Sequence, residues 1–141
     1  MTVTEKDRDI LARTLWGEAC GESLAGQIAV AWTIRNRVKD GKDKSCWGEG
    51  YAVVCQKPYQ FSCWNKSDPN FASLSGAKPI PFRELAQARI AADQVIDGKV
   101  PDPTGGATHN YATTMPKPPA WVKGAKQTLA LGHHVFFKDV P

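Results

Sequence analysis

The stretch that most limits what this chain can become is SLAGQIAVAWTIRNRV, residues 23–38. Leu24, Ile28, Ala31, Trp32 and Ile34 recur at helical spacing, and Ala29, Val30 and Val38 add a second apolar side. A helix that is apolar on most sides needs neighbours all round it, so this one belongs at the centre of a packed domain. The neighbours are legible. Thr4 is a good N-cap, with Glu5 and Asp7 in the first turn of a helix striped by Ile10, Leu11 and Leu15. Gly17 and Gly21 loosen or end that helix. Residues 51–56, YAVVCQ, read as a short helix. Pro81 suits the first turn of PFRELAQARIAADQVIDGK, which Gly98 ends. Residues 101–120 hold five prolines and a Gly-Gly pair and cannot form a long helix. HHVFF reads as a short strand or an extended docking segment. The expected architecture is mostly α, one domain over residues 1–141 with short extended segments near the C-terminus.

A chain of 141 residues fits one domain and buries a core without needing disulfides. No apolar run approaches the ~20 residues that span a bilayer, so stable membrane insertion is not expected. The formal net charge is +4, from basic residues scattered among acids. That is too mild to argue for nucleic acid, but it favours encounter with an anionic polymer such as a bacterial wall. The opening MTVTEKDRDI lacks a basic segment followed by an apolar one, so the expectation is synthesis in a cytoplasm without a signal peptide. Cys20, Cys46, Cys55 and Cys63 form no C-x-x-C pair, and the three histidines do not supply a zinc-finger spacing. No metal or cofactor is expected. Cys55 and Cys63 flank a Lys-Pro turn and are either bridged or free buried thiols.

The chemistry concentrates in LARTLWGEACGE, residues 11–22. Glu18 follows Leu11 by seven residues, which leaves it ~20° from the Leu11 direction on a helix. Leu15 lies on the same side. Glu18 thus continues an apolar stripe at a helix end, where partial desolvation raises a carboxyl pKa as a general acid requires. The competing reading is a buried ion pair with Arg35 or Arg37. Trp16 is close enough in sequence to wall a site. Glu22 is the rival acid; it either contacts substrate, caps the second helix or faces solvent.

Two further segments bear on binding. In YQFSCWN, Tyr59, Phe61 and Trp64 offer flat faces, while Gln60, Ser62 and Asn65 offer hydrogen-bonding groups. Sugar rings have apolar faces and equatorial hydroxyls, so aromatics beside amides suit them; the alternative is that Phe61 and Trp64 pack into the core. In DPTGGATHNYATTMPKPPAW, the Gly-Gly pair permits close backbone approach, and His109, Asn110 and Tyr111 follow it. His109 either binds substrate or is a surface histidine. His133 and His134, if extended, point to opposite faces and do not chelate one ion together; at least one is expected against the core.

Taken in order, LAR-x-x-x-GEA-x-GE, GQ-x-AVA-x-x-x-x-NRV, QFS-x-W, DPTGGATHNY and GHHVFF resemble the SleB/CwlJ-type cell-wall hydrolases, the spore-cortex-lytic enzyme family. The match runs from about Leu11 to Phe137. The resemblance implies a lysozyme-like catalytic domain, a bacterial peptidoglycan substrate and a catalytic glutamate at Glu18. Glu22, Gln60, Phe61, Ser62, Trp64, His109 and Tyr111 are the expected substrate-binding set. A lone domain without a signal is more like a phage or prophage endolysin, a monomer released by a holin and acting in the periplasm or wall. The leading expectation is a lytic transglycosylase. Its rivals are a hydrolytic muramidase, a zinc-dependent N-acetylmuramoyl-alanine amidase using His109, His133 or His134, and a non-catalytic wall-binding module.

Overall fold

Thr4 opens the first helix through a reciprocal cap. Its hydroxyl accepts the Asp7 N–H at 3.1 Å, and the Asp7 carboxylate accepts the Thr4 N–H at 2.9 Å. A computed structural model describes residues 3–40, 50–57 and 61–141, without the side chains of Lys39 and Asp40. Cys46, Tyr59 and Gln60 therefore lie outside the described residues.

Among the described residues, five α-helices and three strands follow in chain order: α1 (Glu5–Ala19), α2 (Leu24–Asp40), α3 (Tyr51–Gln56), α4 (Phe71–Leu74), α5 (Phe82–Ile96), β1 (His109–Ala112), β2 (Lys126–Leu131) and β3 (His134–Lys138). Two 3-10 turns, Ser62–Trp64 and Ala120–Val122, lie between them. The fold class expected from the sequence holds. Helix α2 is central: Ala29, Val30, Ala31 and Ile34 are fully buried, and the helix packs against α1, α3, α5 and β1. Helix α5 presents Ala88, Ala91, Ala92 and Val95, all fully buried, to α1 and α2. Small side chains there let the helices approach closely. Pro81 takes the N-cap position of α5, and Gly98, at φ 69°, turns the chain away from its other end.

Arg8 of α1 pairs with Asp93 at 2.8 Å and Asp97 at 2.6 Å, while Arg89 of α5 pairs with Glu5 at 2.7 Å. These partly exposed pairs set the register of α1 on α5 and add little stability. Arg35 is turned to the end of α5, where its guanidinium donates to the Val95 and Ile96 carbonyls. That commitment removes it as an ion-pair partner for Glu18.

The sheet is antiparallel in the order β1-β3-β2. HHVFF supplies its central strand, with Ala112 and Leu131 both opposite His134. Phe136 is fully buried on the core face. Phe137 lies on the other face and stacks on Tyr111, with ring centroids 5.8 Å apart. Strands β1 and β2, helix α4 and both 3-10 turns were not expected from the sequence. Cys55 and Cys63 are buried free thiols, not a bridge. The Cys55 thiol is pushed up to about 12 by burial and faces Thr14; Cys63 faces Glu18.

Candidate active site

Glu18 sits in the last turn of α1, and the residue before it decides what it meets. A Cβ at Gly17 would lie 2.7 Å from Cys63 Cβ and 2.9 Å from its Sγ. Only glycine lets the Ser62–Trp64 turn close onto the helix end there. The closure brings the backbone N–H and the thiol of Cys63 to the Glu18 carboxyl as hydrogen-bonding groups. Glu18 Oε1 is buried without a hydrogen-bond partner among the described residues. Burial pushes the Glu18 pKa up, and Asp68 adds to the rise. The Cys63 bonds and His134 pull the other way without reversing it. The Cys63 thiol is itself pushed well up by burial and by Glu18, so it stays protonated and able to donate.

A raised carboxyl pKa has a consequence for stability with a definite sign. The native state keeps a proton that the unfolded chain releases near pH ~4.3. The resulting cost is absent at lower pH, grows as pH rises above that value, and is complete above the folded-state pKa. Glu18→Gln removes it. The variant is expected to melt above the parent at pH 7–8. The two curves should coincide at pH 4 and below. Melting scans over that range check this; a gain that is the same at every pH would contradict it.

Glu18 opens into a cleft of about 590 Å³ between the helical body and the sheet. Phe61 and Ser62 form one wall, and His109 and Tyr111 another. Arg37, Asn65, Asn110, Trp121 and His134 complete much of the lining. Helix α2 builds the second wall from its end. Asn36 donates to Asp102 at 3.1 Å and to the Ala107 carbonyl at 2.8 Å, and Arg37 donates to the Thr108 carbonyl at 2.6 Å. Asp102 in turn accepts the Thr104 and Gly106 N–H groups at 2.7 and 3.0 Å. The Gly-Gly turn, with φ of 64° and 90°, then delivers β1 to the cleft. Arg37 lies over the Phe61 ring, 5.1 Å from its centroid.

His109 is half-buried and lies 5.0 Å from the Trp121 ring. Burial and the nearby Arg37 lower its pKa to about 4, so it is a neutral ring at pH 7. Trp121 also meets Tyr111 edge-on at 6.1 Å. It joins the cleft although nothing in PKPPAW marks it as a site residue.

Other expected positions lie elsewhere. Trp64 is outside the cleft; its indole N–H donates to Thr14 at 2.9 Å, and its ring borders a separate groove with Arg13 and Phe71. Trp16 does not wall the site, because its indole N–H is held by Glu84 of α5 at 2.9 Å. Glu22 neither caps α2 nor faces solvent: its side chain is 8% exposed and engages His133 and His134. The two histidines are not splayed to opposite faces. His133 belongs to the turn before β3, and both ring Nδ1 atoms lie within 3.3 Å of Glu22 Oε1. Among the described residues, no group of three or more His, Cys, Asp or Glu side chains is arranged to hold a metal ion.

Comparison with known proteins fits this architecture. The family model for cell wall hydrolases matches residues 21–137, and the chain belongs to that family. The spore cortex-lytic enzyme of Halalkalibacterium halodurans is 28% identical over 133 residues, which are 94% of this chain and 35% of that protein. The chain thus spans about a third of the length of this curated relative. The fold is similar to the catalytic domain of the germination-specific lytic transglycosylase SleB from Bacillus anthracis. The TM-score is 0.72 at 25% identity, covering 96% of each chain. The catalytic domain of the Bacillus cereus SleB protein gives 0.71 at 26% identity, covering 97% of this chain and 93% of that one. The family match begins after Glu18, so the role of that residue rests on its geometry.

Proposed function

We propose that this chain cleaves the glycan strand of bacterial peptidoglycan as a lytic transglycosylase, with Glu18 as its single acid–base group. One observation carries the reading: Glu18 is the only carboxyl among the described residues that line the cleft. Glycosidases that hydrolyse through a carboxylate pair hold the two groups ~5–9.5 Å apart across the scissile bond. The other acids near Glu18 are committed elsewhere. Glu22 is bonded to the β2–β3 turn, and Asp68 accepts the Asn70 N–H at 2.8 Å.

One carboxyl group suffices when the substrate supplies its own nucleophile. Protonated Glu18 gives its proton to the oxygen between N-acetylmuramic acid and N-acetylglucosamine, and the C1–O bond breaks. The muramic C6 hydroxyl then bonds to C1 and returns its proton to the Glu18 carboxylate. The acid is regenerated, no water is consumed, and the product ends in a 1,6-anhydro ring. A pKa raised by burial suits a group that must be an acid first and a base second. The aromatic faces of Phe61, Tyr111 and Trp121 suit sugar rings, and Ser62, Asn65 and Asn110 suit their hydroxyl and N-acetyl groups. The relatives named for cortex lysis and transglycosylation support the same chemistry.

Mass spectrometry of digested sacculi tests the route. Anhydro-muramic ends are expected on the released fragments. Fragments heavier by one water, with no anhydro ends, would identify a muramidase instead. The biological setting proposed is a phage or prophage endolysin that reaches the wall through a holin-type pore. Expression inside a bacterium should then leave cells intact until the inner membrane is permeabilised, and lyse them promptly afterwards.

A further inference from the structure

Glu22 stands in the expected substrate-binding set, yet its carboxylate Oε1 is engaged inside the protein, on the turn that leads into β3. Oε1 accepts the His133 N–H at 2.8 Å and lies 3.0 Å from His134 Nδ1. Two glycines make the room. Gly132 sits at φ 57°, where a Cβ would collide with Glu22 Oε2, and a Cβ on Gly26 would lie 3.0 Å from that of Glu22. Burial favours a protonated Glu22, but the bonds from His133 and His134 outweigh it and hold the carboxyl below its ordinary range.

An ionised carboxylate only accepts hydrogen bonds, so the hydrogen between the two groups belongs to His134 Nδ1. In a neutral imidazole the lone pair then sits on Nε2. The His134 side chain is 7% exposed, and what remains open faces the cleft that holds Glu18. No described residue bonds Nε2. The ring is therefore oriented from behind and unengaged in front.

From this geometry we infer that His134 is a glycan-contacting residue, its Nε2 accepting a hydrogen from a sugar O–H or N–H beside Glu18, with Glu22 the positioning residue that fixes its tautomer. The inference rests on the glycan-cleaving reading above. It gives the cleft a matched pair: a donor in protonated Glu18, and an acceptor on β3 held from behind by Glu22. Glu22 acts only through the ring and touches no substrate.

Long-range proton–nitrogen NMR of the whole protein with ¹⁵N-labelled histidine tests this. At the pH of activity, His134 is expected to carry its hydrogen on Nδ1. Adding soluble peptidoglycan strands to a Glu18→Gln background should shift its Nε2 and leave Nδ1 nearly unchanged. An Nε2–H tautomer, a ring protonated at both nitrogens, or an unresponsive Nε2 would each overturn the inference, and these readouts need no variant of His134.

The kinetic arm uses amide replacements. His134→Asn places an N–H near the position of Nδ1 and leaves the Nε2 position empty. It is expected to lower kcat/KM about 10–100-fold with little change in Tm. Glu22→Gln retains an acceptor oxygen for Nδ1–H and should stay within about threefold of the parent, while Glu22→Ala should fall with His134→Asn. Parent-level activity in His134→Asn, with Glu18→Gln inactive, sinks this inference alone. Parent-level cutting by Glu18→Gln sinks the reading on which it rests.

Discussion

Glu18→Gln is expected to leave a folded protein whose kcat/KM on purified peptidoglycan is lower by about 10²–10⁴-fold. Glutamine has the shape of the protonated acid but no proton of useful acidity, so the leaving oxygen departs unassisted. The carboxyl also lies where a substitution of charge is well tolerated: it is buried, and Oε1 has no bond to lose among the described residues. Loss of activity with a retained or raised Tm therefore separates chemistry from folding. In the parent, activity should fall as pH rises through the raised pKa of Glu18, because the acid form is consumed. A turbidity assay on cell walls at several pH values, parent beside variant, measures both effects. Clearing by Glu18→Gln at the parent rate would remove the single-carboxyl mechanism altogether.

The second large effect is one residue away. Gly17→Ala would ordinarily help a helix, by up to ~1 kcal/mol. Here the added methyl runs into Cys63 at both Cβ and Sγ. Something must shift, and such overpacking costs ~1–3 kcal/mol. What shifts is the Ser62–Trp64 turn or the end of α1, and each carries one side of the Glu18 environment. A displacement near 1 Å at a reacting group is worth about 10²-fold in rate. The expected outcome is a lower Tm and about a hundredfold loss of kcat/KM. The nearest atom is Cys63 Cβ, so adding Cys63→Ala should recover little, whereas adding Cys63→Gly should recover part of the rate. Gly21→Ala is the control, since a Cβ there meets nothing within 4 Å. Equal losses at Gly17 and Gly21 would show that steric contact with Cys63 is not the reason for the glycine.

These two residues also mark how far the sequence can be read. Leu11, Leu15 and Glu18 share a helical face, and that phase foretells a desolvated carboxyl. The apolar wrap of 24–38 foretells a central helix, and Thr4 with Asp7 a helix start. What phase cannot show is a partner distant in sequence. Glu22 is bonded to residues 111 and 112 positions away, and no local pattern announces that. Aromatic identity does not reveal direction either. Phe61 and Trp64 stand in one motif, but the intervening 3-10 turn sends Phe61 to the cleft and Trp64 to Thr14. Strand β2, KQTLAL, is an edge strand with half its residues exposed, so it carries too little apolar alternation to be seen. Trp121 enters the site only because its 3-10 turn lies across Tyr111 and Phe137.

Strand β3 lies between β1 and β2, although it is made after both. Neither outer strand has a partner in the sheet until it arrives. During synthesis, then, Glu18 emerges before the sheet wall that faces it is complete, because that wall awaits residues 134–138. The helical body, α1 to α5, precedes all three strands, so it can fold while that side of the cleft is still missing. Chain order alone thus leaves the sheet side of the cleft unassembled until its last-made strand is in place.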